Sequence, residues 1–342
     1  MAYTTINKPS NYFDTKLYTG TGSAQSITGL GFSPDFVWIK DRTSANNHRL
    51  LDIVRGATKE LYSSTTDTET TQAQSLTTFN SNGFSIGTLS SINTNSNNYA
   101  SWCWEANGAG VANTAGTISS TVSANTTSGF SIVSWTGTTG VATVGHGLGT
   151  TPAMIILKNR SVVSSWVVYN KSLGATRYLF LDLTSAQQTD SLAWNNTEPD
   201  STKFTINSYT NGSGNNLIAY CFAEVKGFSK FGSYVGNANA DGTFIYTGFK
   251  PAFILTKYIS GEGINWNIKD TARERFNVTT QYLIPNLNIA EGGGSTWTMD
   301  ILSNGFKIRT SDGLLNSSGT YIYAAFAEQP LVGTNNVPAT AR

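Results

Sequence analysis

The residue types that most often do chemistry in proteins are scarce in this chain and stand far apart. The two histidines, His48 and His146, have no cysteine or acidic neighbour at the spacing of a metal site. We interpret His48 as a surface-loop residue and His146 as part of a tight glycine-rich loop. The two cysteines, Cys103 and Cys221, are flanked by large aromatic residues, and unpaired cysteines of this kind are usually buried free thiols.

Motifs of the common enzyme classes do not occur either. The sequence has no Gly-x-Ser-x-Gly, phosphate-loop or His-Glu-x-x-His pattern. It has no Asp-x-Asp-x-Asp-Gly calcium loop. Glycoside hydrolysis needs two carboxylates whose separation is spatial, so the sequence leaves that activity open as a weaker alternative. We predict no enzyme activity, no metal and no cofactor.

Two acids recur at matching places of an internal repeat. Asp52 and Asp270 each follow a predicted strand by a similar interval. A recurrence of this kind predicts a shared structural role, such as capping a turn.

Four tryptophans outside the main predicted strands are the candidate contact residues. A tryptophan face beside Asn or Asp suits a sugar ring, so these positions are candidates for contact with a glycan or a partner protein. The favoured interpretation is that they pack between repeats or against a partner subunit, and the alignment of two of them supports packing. The four are Trp166, Trp194, Trp266 and Trp297.

These residues must be positioned by a module of about 100 residues that occurs three times. The first anchor is an apolar strand between a proline and a lysine, and each copy is preceded by an aromatic-x-Gly motif. We expect the lysine to carry its charge to the rim of the module. The strands are SPDFVWIK (33–40), TPAMIILK (151–158) and KPAFILTK (250–257), and the motifs lie at 18–20, 135–137 and 234–236.

Two further anchors follow in the same order in each repeat. One is a turn and strand, NGFSI (82–86), TKFTI (202–206) and NGFKI (304–308). The other is the last strand of each repeat, in which Trp104, Phe222 and Phe326 align.

Short strands rich in β-branched and aromatic residues, separated by Asn, Gly and Ser, predict the fold. We predict an all-β protein of three tandem, diverged antiparallel β-sandwiches that are jelly-roll-like. The linker should set repeat 1 off from the other two, and the tails should dock on neighbouring subunits. The predicted segments are an N-terminal docking tail (1–13), repeat 1 (14–107), a linker (108–127), repeat 2 (128–228), repeat 3 (229–330) and a C-terminal tail (331–342).

Composition restricts the partners. The net charge is +1 and only 13% of residues are charged, which argues against electrostatic binding of nucleic acid or of an anionic membrane. No apolar run of 18 residues occurs, and none follows Met1. We therefore expect neither a transmembrane helix nor a signal peptide.

Ordered motifs along the whole chain carry a family resemblance. They include MAYTTINKPSNYF (1–13), FSPDFVWIKDR (32–42), WCWEANG (102–108), GHGLGTTPAMIILK (145–158) and TYIYAAFAEQP (320–330). The chain resembles a family of virion-associated proteins of marine bacteriophages, often called tail-fibre proteins, that is built of repeated β-sandwich modules. The resemblance implies a component of the phage particle and brings no catalytic residues with it.

The predicted function follows from this resemblance and from the lack of catalytic motifs. We predict a bacteriophage virion structural protein, either a tail fibre or a tail-associated, receptor-binding component. A capsid decoration protein is the alternative, and a glycan-degrading tailspike enzyme is the weaker one. The expected partners are other virion proteins, further copies of this chain in a trimer or hexamer, and a host surface glycan. The expected location is the exterior of the phage particle, after synthesis in the host cytoplasm.

Overall fold

The structure is a computed structural model that describes residues 3–333 and 338–339 of the chain. In that part almost every regular element is an antiparallel strand, and the two α-helices have four residues each. The predicted all-β sandwich fold is confirmed. Strands of valine, isoleucine and aromatic residues account for it, because these side chains fit a pleated surface that is covered on one or both faces.

Repeat 1 is a sandwich of a large and a small sheet. Its elements are a 3-10 turn Pro9–Asn11, β1 Phe13–Thr19, β2 Gln25–Thr28, β3 Phe36–Asp41, β4 Arg49–Asp52, β5 Lys59–Tyr62, β6 Thr70–Thr71, β7 Leu76–Asn80, β8 Gly83–Ile86, α1 Ser90–Asn93 and β9 Asn98–Trp104. The large sheet has the order β1-β9-β3-β4-β5-β6 and the small sheet β2-β8-β7. The first and last strands are therefore neighbours, and the chain alternates between the sheets, as in a jelly-roll-like winding.

The segment 108–127, predicted to be a linker, belongs to the sandwich of repeat 2. It forms β10 Val111–Asn113 and β11 Ser120–Asn125. β11 pairs with the first strand of repeat 2, and β10 pairs with β11. Ile118 and Val122 are buried in the core of that sandwich. The linker prediction is wrong because a Gly/Ser/Thr-rich composition suits an added edge strand as well as a connection.

Repeats 2 and 3 follow the plan of repeat 1. Repeat 2 has β12 Phe130–Thr136, β13 Ala142–Gly145, β14 Met154–Asn159, β15 Val167–Asn170, β16 Arg177–Phe180, β17 Gln188–Thr189, β18 Lys203–Ile206 and β19 Asn216–Phe222. Repeat 3 has β20 Ser229–Gly236, β21 Phe244–Tyr246, β22 Phe249–Tyr258, β23 Asn267–Asp270, β24 Met299–Leu302, β25 Gly305–Ile308, α2 Gly313–Asn316 and β26 Gly319–Pro330. The large sheets run β10-β11-β12-β19-β14-β15-β16-β17 and β20-β26-β22-β23, and the small sheets β13-β18 and β21-β25-β24.

The two faces of each central strand enter different cores. In β3, Val37 and Ile39 pack against the small sheet of repeat 1, whereas Phe36 and Trp38 point the opposite way, since successive side chains of a strand alternate. β14 and β22 divide in the same manner, so the outer faces of the three large sheets meet in one shared core. Repeat 1 is thus not set off from the others, and that prediction is wrong.

The aromatic-x-Gly motif marks a close approach of two backbone segments. A Cβ atom at Gly20 would lie 2.1 Å from the carbonyl oxygen of Thr94. The same contact recurs at Gly137 and Gly236, at 2.2 Å and 2.1 Å from backbone oxygens. Only glycine leaves room for it, because any side chain would overlap the neighbouring backbone.

The N-terminal segment contributes to the shared core of its own molecule. Ile6 is 1% exposed and belongs to that core. Oγ1 of Thr4 donates to the carbonyl oxygen of Lys226, between repeats 2 and 3, at 2.7 Å. The described part of the tail 1–13 thus packs on its own molecule, and docking on a neighbouring subunit stays a prediction. The predicted C-terminal tail (331–342) lies partly outside the described residues.

Candidate functional site

The three aligned aromatic residues of the last strands meet at the centre of the molecule. The ring centroids are 6.1 Å apart for Trp104 and Phe222, 5.5 Å for Trp104 and Phe326, and 5.8 Å for Phe222 and Phe326. Three equivalent residues in mutual contact define an approximate threefold axis. The repeats form a ring around this axis, so that each has a preceding repeat. The repeat that precedes repeat 1 in the ring is repeat 3.

A small cavity of about 20 Å³ lies beside these rings and is lined by side chains of all three repeats. Its lining is entirely apolar, so it offers no hydrogen bond to a water molecule. The centre of the molecule is thus a packed aromatic core and not a ligand site.

The lysine at the end of each central strand reaches across a boundary between repeats. Lys40, Lys158 and Lys257 have no exposed surface, so the prediction that their charge lies at the rim is wrong. Each ammonium group donates to a carbonyl oxygen of the preceding repeat. The pairs are Lys158 with Thr66 at 2.8 Å, Lys257 with Thr184 at 2.9 Å and Lys40 with Asn288 at 3.4 Å.

Burial determines the acidity of these ammonium groups. It lowers the pKa of Lys40, Lys158 and Lys257 to about 8 in each case, because desolvation disfavours the charged form. The carbonyl oxygens of two repeats replace part of the lost hydration. A buried lysine bonded to the backbone of the preceding repeat thus occurs at all three boundaries.

Two of the candidate tryptophans are boundary residues. Nε1 of Trp166 donates to the carbonyl oxygen of Tyr62 in repeat 1, and Nε1 of Trp266 donates to that of Phe180 in repeat 2, both at 2.8 Å. The two indoles are at most 1% exposed. The glycan interpretation is wrong for both, because a ring without an exposed face cannot stack on a sugar. The alternative of packing between repeats describes them.

His48 takes the place of this tryptophan in repeat 1. It is fully buried, and its Nδ1 accepts a hydrogen bond from Nε1 of Trp38 at 3.0 Å. The ring lies beside the backbone of Ile284 in repeat 3, although Nε2 has no partner at hydrogen-bond geometry. Burial lowers the pKa of His48 well below its ordinary value. The interpretation as a surface-loop histidine is wrong.

The other two candidate tryptophans lie away from the boundaries. Trp194 is 2% exposed and packs edge-on against Tyr169 inside the sandwich of repeat 2, so the glycan interpretation is wrong there too. Trp297 is half-buried. Its Nε1 donates to Asp312 at 2.6 Å and its ring packs against Tyr282. A glycan contact at Trp297 stays a prediction.

Where repeats 1 and 2 meet, five polar side chains form a largely buried chain of hydrogen bonds. Arg160 of repeat 2 donates to both carboxylate oxygens of Glu69, at 2.7 Å and 2.9 Å. Glu69 also accepts from Arg55 at 3.3 Å. Nε of Arg55 donates to Asp52 at 2.5 Å, and Asp52 accepts from the hydroxyl of Tyr220 in repeat 2 at 2.8 Å. The chain therefore begins and ends on repeat 2.

The boundary between repeats 3 and 1 carries the same chain. Arg42 of repeat 1 donates to Glu291 at 2.7 Å, and Glu291 accepts from Arg273 at 2.8 Å. Nε of Arg273 donates to Asp270 at 2.5 Å, and Asp270 accepts from Nε1 of Trp102 in repeat 1 at 3.0 Å. Burial opposes the charge of Arg273, but Asp270 and Glu291 outweigh it and raise the pKa of Arg273 above its ordinary value.

The two aspartates also cap turns, as the sequence predicts. Oδ1 of Asp52 accepts from the backbone N–H of Arg55 at 2.8 Å, and Oδ1 of Asp270 accepts from that of Arg273 at 2.9 Å. Each carboxylate thus uses one oxygen for its own turn and the other for the next repeat.

The boundary between repeats 2 and 3 keeps the backbone contact and loses the whole charged set. The backbone N–H of Gln187 donates to the carbonyl oxygen of Ile259 at 3.4 Å. At the other two boundaries the backbone N–H groups of Glu69 and Glu291 donate in the same way to the carbonyl oxygens of Arg160 and Arg42. Nδ2 of Asn170 and Oε1 of Gln187 are buried without a hydrogen-bond partner. At this boundary the positions equivalent to Asp52, Arg55, Glu69, Arg160 and Tyr220 are occupied, in that order, by Asn170, Leu173, Gln187, Ile259 and Ala324.

Sequence reasoning missed these networks. The available signal was Asp-x-x-Arg at 52–55 and 270–273 against Asn-x-x-Leu at 170–173. An arginine that changes together with its aspartate indicates a pair. The glutamate and the second arginine lie far away in sequence, so only the fold brings them to the pair.

The remaining reactive groups are enclosed. Cys103 and Cys221 are buried free thiols, as predicted, and burial raises the pKa of each. His146 is buried in its loop, where Nδ1 accepts from the backbone N–H of Leu148 at 3.2 Å. In the described ranges, no three His, Cys, Asp or Glu residues converge as a metal site would require.

Two carboxyl groups share a pocket beside the start of the 108–127 segment. Asp35 and Glu105 line one pocket, and burial raises the pKa of both carboxyl groups. Oδ2 of Asp35 accepts from the backbone N–H groups of Ala106 and Gly108, at 2.7 Å and 3.3 Å. The contacts give Asp35 a structural role, because they hold the start of the 108–127 segment.

Comparison with known proteins places the chain in a family. A family model described as a domain of unknown function (DUF7483) matches residues 8–330. The chain belongs to this family. The DUF7483 match spans all three repeats and the 108–127 segment, so the family's unit is the threefold assembly and not the single sandwich. No curated protein matches the chain. In the part of the chain that the structure describes, no helix has the length and apolarity needed to cross a membrane.

Proposed function

We propose that this protein is a structural component of a bacteriophage virion, as a tail fibre or a tail-associated component that contacts the host. The observation that carries the proposal is the threefold arrangement of three sandwiches around one aromatic core in a single chain. A body with three related faces suits a position on the axis of a symmetric assembly. The sequence resemblance to virion-associated proteins supports the same function.

The use of the polar side chains favours a structural role over an enzymatic one. The buried lysines, arginines and aspartates are engaged at boundaries between repeats. A catalytic group must reach a substrate within hydrogen-bond distance. Groups that hold two repeats together have no such access.

Decoration of a capsid is the second candidate, and one observation favours it. A single chain supplies three related repeats around one core. One molecule could therefore cover a threefold site of a shell, whereas a fibre needs an extended body. Self-association into a trimer or hexamer is a separate proposal that either location accommodates.

The test is the location of the protein on purified particles. Mass spectrometry of virions from the phage that encodes this chain should detect it at a fixed ratio to the major capsid protein. Labelling with an antibody against the protein, viewed by electron microscopy, should mark the tail. Labelling over the shell would select the decoration role, and absence from purified virions would overturn both.

Contact with a host glycan is proposed at Trp297, the candidate tryptophan that keeps part of its ring exposed. We expect Trp297→Ala to reduce binding to host surface polysaccharide about tenfold, because a lost stacking contact removes about 1 kcal/mol or more. Leu183→Ala, at a side chain that is 38% exposed in repeat 2, is the control. Equal binding by Trp297→Ala and the wild type would contradict the contact.

A further inference from the structure

One side of repeat 3 presents two sheet edges that pair with no other strand among the described residues. β20 is the outermost strand of its large sheet, and β21 is the outermost strand of the small sheet. The two edges are adjacent, since Oγ1 of Thr243 donates to the carbonyl oxygen of Val235 at 2.7 Å. An edge strand has a row of backbone N–H and C=O groups that can pair with another strand.

The same side of repeat 2 is covered. β11 pairs with β12 from Phe130 to Trp135, and β12 is the equivalent of β20. Ile118 forms a bridge to Val144 of β13, the equivalent of β21. Ile118 and Val122, only 8% and 4% exposed, insert between the two sheets. The segment 111–125 is therefore an example of an extended segment that covers this edge of the sandwich.

Repeat 3 differs from repeat 1 in the residues that it presents there. Its exposed large apolar side chains at this edge are Val235, Phe244 and Tyr246, with exposures of 63%, 43% and 53%. The strand registers place Thr19, Ser26 and Thr28 at the same positions of repeat 1. Repeat 1 has one exposed apolar residue on this edge, Leu17 at 40%, whereas repeat 3 has three. Exposed apolar residues on an open edge promote association, so natural proteins rarely leave them uncovered.

We propose that this edge of repeat 3, formed by β20 and β21, is an acceptor site for a strand of a partner protein. The occupant is an extended, Ser/Thr-rich segment with two aliphatic residues four positions apart, as Ile118 and Val122 are. That spacing places both side chains on one face of a strand. Backbone hydrogen bonds to β20 give affinity, and the apolar residues give specificity. The inference is independent of the proposed virion role.

A synthetic peptide with the sequence of residues 111–125 is the probe. We expect it to bind the full-length protein with one added equivalent and to slow amide hydrogen exchange in β20 and β21. The intramolecular copy keeps its place on β12, since its tether gives it a high effective concentration. A peptide with serine in place of Ile118 and Val122 should not protect these strands.

The matched variant gives repeat 3 the edge of repeat 1, through Val235→Thr, Phe244→Ser and Tyr246→Thr. All three side chains are exposed, so the fold should be retained. We expect peptide affinity to fall at least about tenfold. The control is Phe276→Ser, which removes an aromatic ring that is 79% exposed elsewhere in repeat 3.

Three outcomes would overturn the proposal. The first is no protection of β20 and β21 at any peptide concentration reached. The second is equal affinity for the triple variant and the wild type. The third is sedimentation evidence that the protein dimerises through this edge, which would make a second copy the occupant.

Discussion

Buried charges lie at the boundaries between repeats, and they occur there in complete sets. Asp52, Arg55, Glu69 and Arg160 are all present at one boundary, and the equivalent residues are all replaced at another. Removing one member of a buried pair leaves an uncompensated charge, whereas removing all members can be nearly neutral. The physical unit is thus the set and not the residue.

Arg55→Leu tests the cost of breaking a set. The variant leaves Asp52 buried without its cation and leaves Glu69 paired with Arg160 alone. We expect the free energy of unfolding to fall by about 3–5 kcal/mol, measured by urea denaturation. Lys59→Leu, at an exposed pair with Thr71, is the control and should change stability by less than about 1 kcal/mol.

Replacing all four charged residues tests whether the set, and not the single residue, determines stability. The variant takes the residues of the boundary between repeats 2 and 3, through Asp52→Asn, Arg55→Leu, Glu69→Gln and Arg160→Ile. It should lose less stability than Arg55→Leu alone, because no charge is left unpaired. A fourfold variant that is less stable than the single one would contradict the account.

The buried lysines predict a rise in stability with pH. Below about pH 8 the folded and unfolded states both carry the proton of Lys158, whose folded pKa is about 8. Between that pH and the ordinary lysine pKa only the unfolded state holds the proton, so the free energy of unfolding increases with pH. The raised pKa values of Cys103 and Cys221 act in the opposite direction.

The contribution of Lys158 to the pH dependence of stability is measured best in a variant that lacks both cysteines. Alanine at both cysteine positions is the natural background, since repeat 3 has Ala325 there. In that background Lys158→Met should reduce the slope of stability against pH, between pH 8 and 9.5, by up to about 1.4 kcal/mol per pH unit. An unchanged slope would show that Lys158 titrates at its ordinary pKa.

At the scale of elements, the segment 111–125 is a cover for the edge of repeat 2. Its predicted role as a linker came from its composition, and the strand pairing of β11 with β12 corrects it. Composition describes how polar a segment is. It does not describe whether an unpaired strand edge lies within reach.

Ile118→Ala together with Val122→Ala tests this cover. Both side chains are buried in the core of repeat 2, so we expect a loss of about 3–6 kcal/mol from the two truncations. Amide hydrogen exchange in β12 should accelerate, while exchange in β1 should not change. Val111→Ala, at a side chain that is 70% exposed, is the control. Unchanged exchange in β12 would mean that the segment does not protect this edge.

At the scale of the whole molecule, the shared core predicts that the three repeats unfold as one unit. Trp104→Ala removes a central ring that contacts Phe222 and Phe326. We expect a loss of about 3–5 kcal/mol, with a single calorimetric transition before and after the change. A second transition, or an isolated repeat 1 (14–107) that folds, would contradict the shared core.

The sequence by itself determined the three repeats, the all-β sandwich fold, the buried cysteines and the turn-capping aspartates. These features depend on local patterns, which are strand alternation, turn residues and spacing within one repeat. The residues at the axis, Trp104, Phe222 and Phe326, also align in the sequence.

Only the tertiary structure decided what the repeats do to one another. The pattern within repeat 1 predicts an exposed charged end for Lys40 and a surface loop for His48, and the pattern within repeat 2 leaves a glycan contact open for Trp166. In the structure, each lies against the backbone of a different repeat. Burial at such a boundary depends on a partner that is distant along the chain, and no local pattern encodes which surface will be covered. The alignment therefore identifies the equivalent residues of the three repeats, but only the tertiary structure shows that the repeats close around one axis.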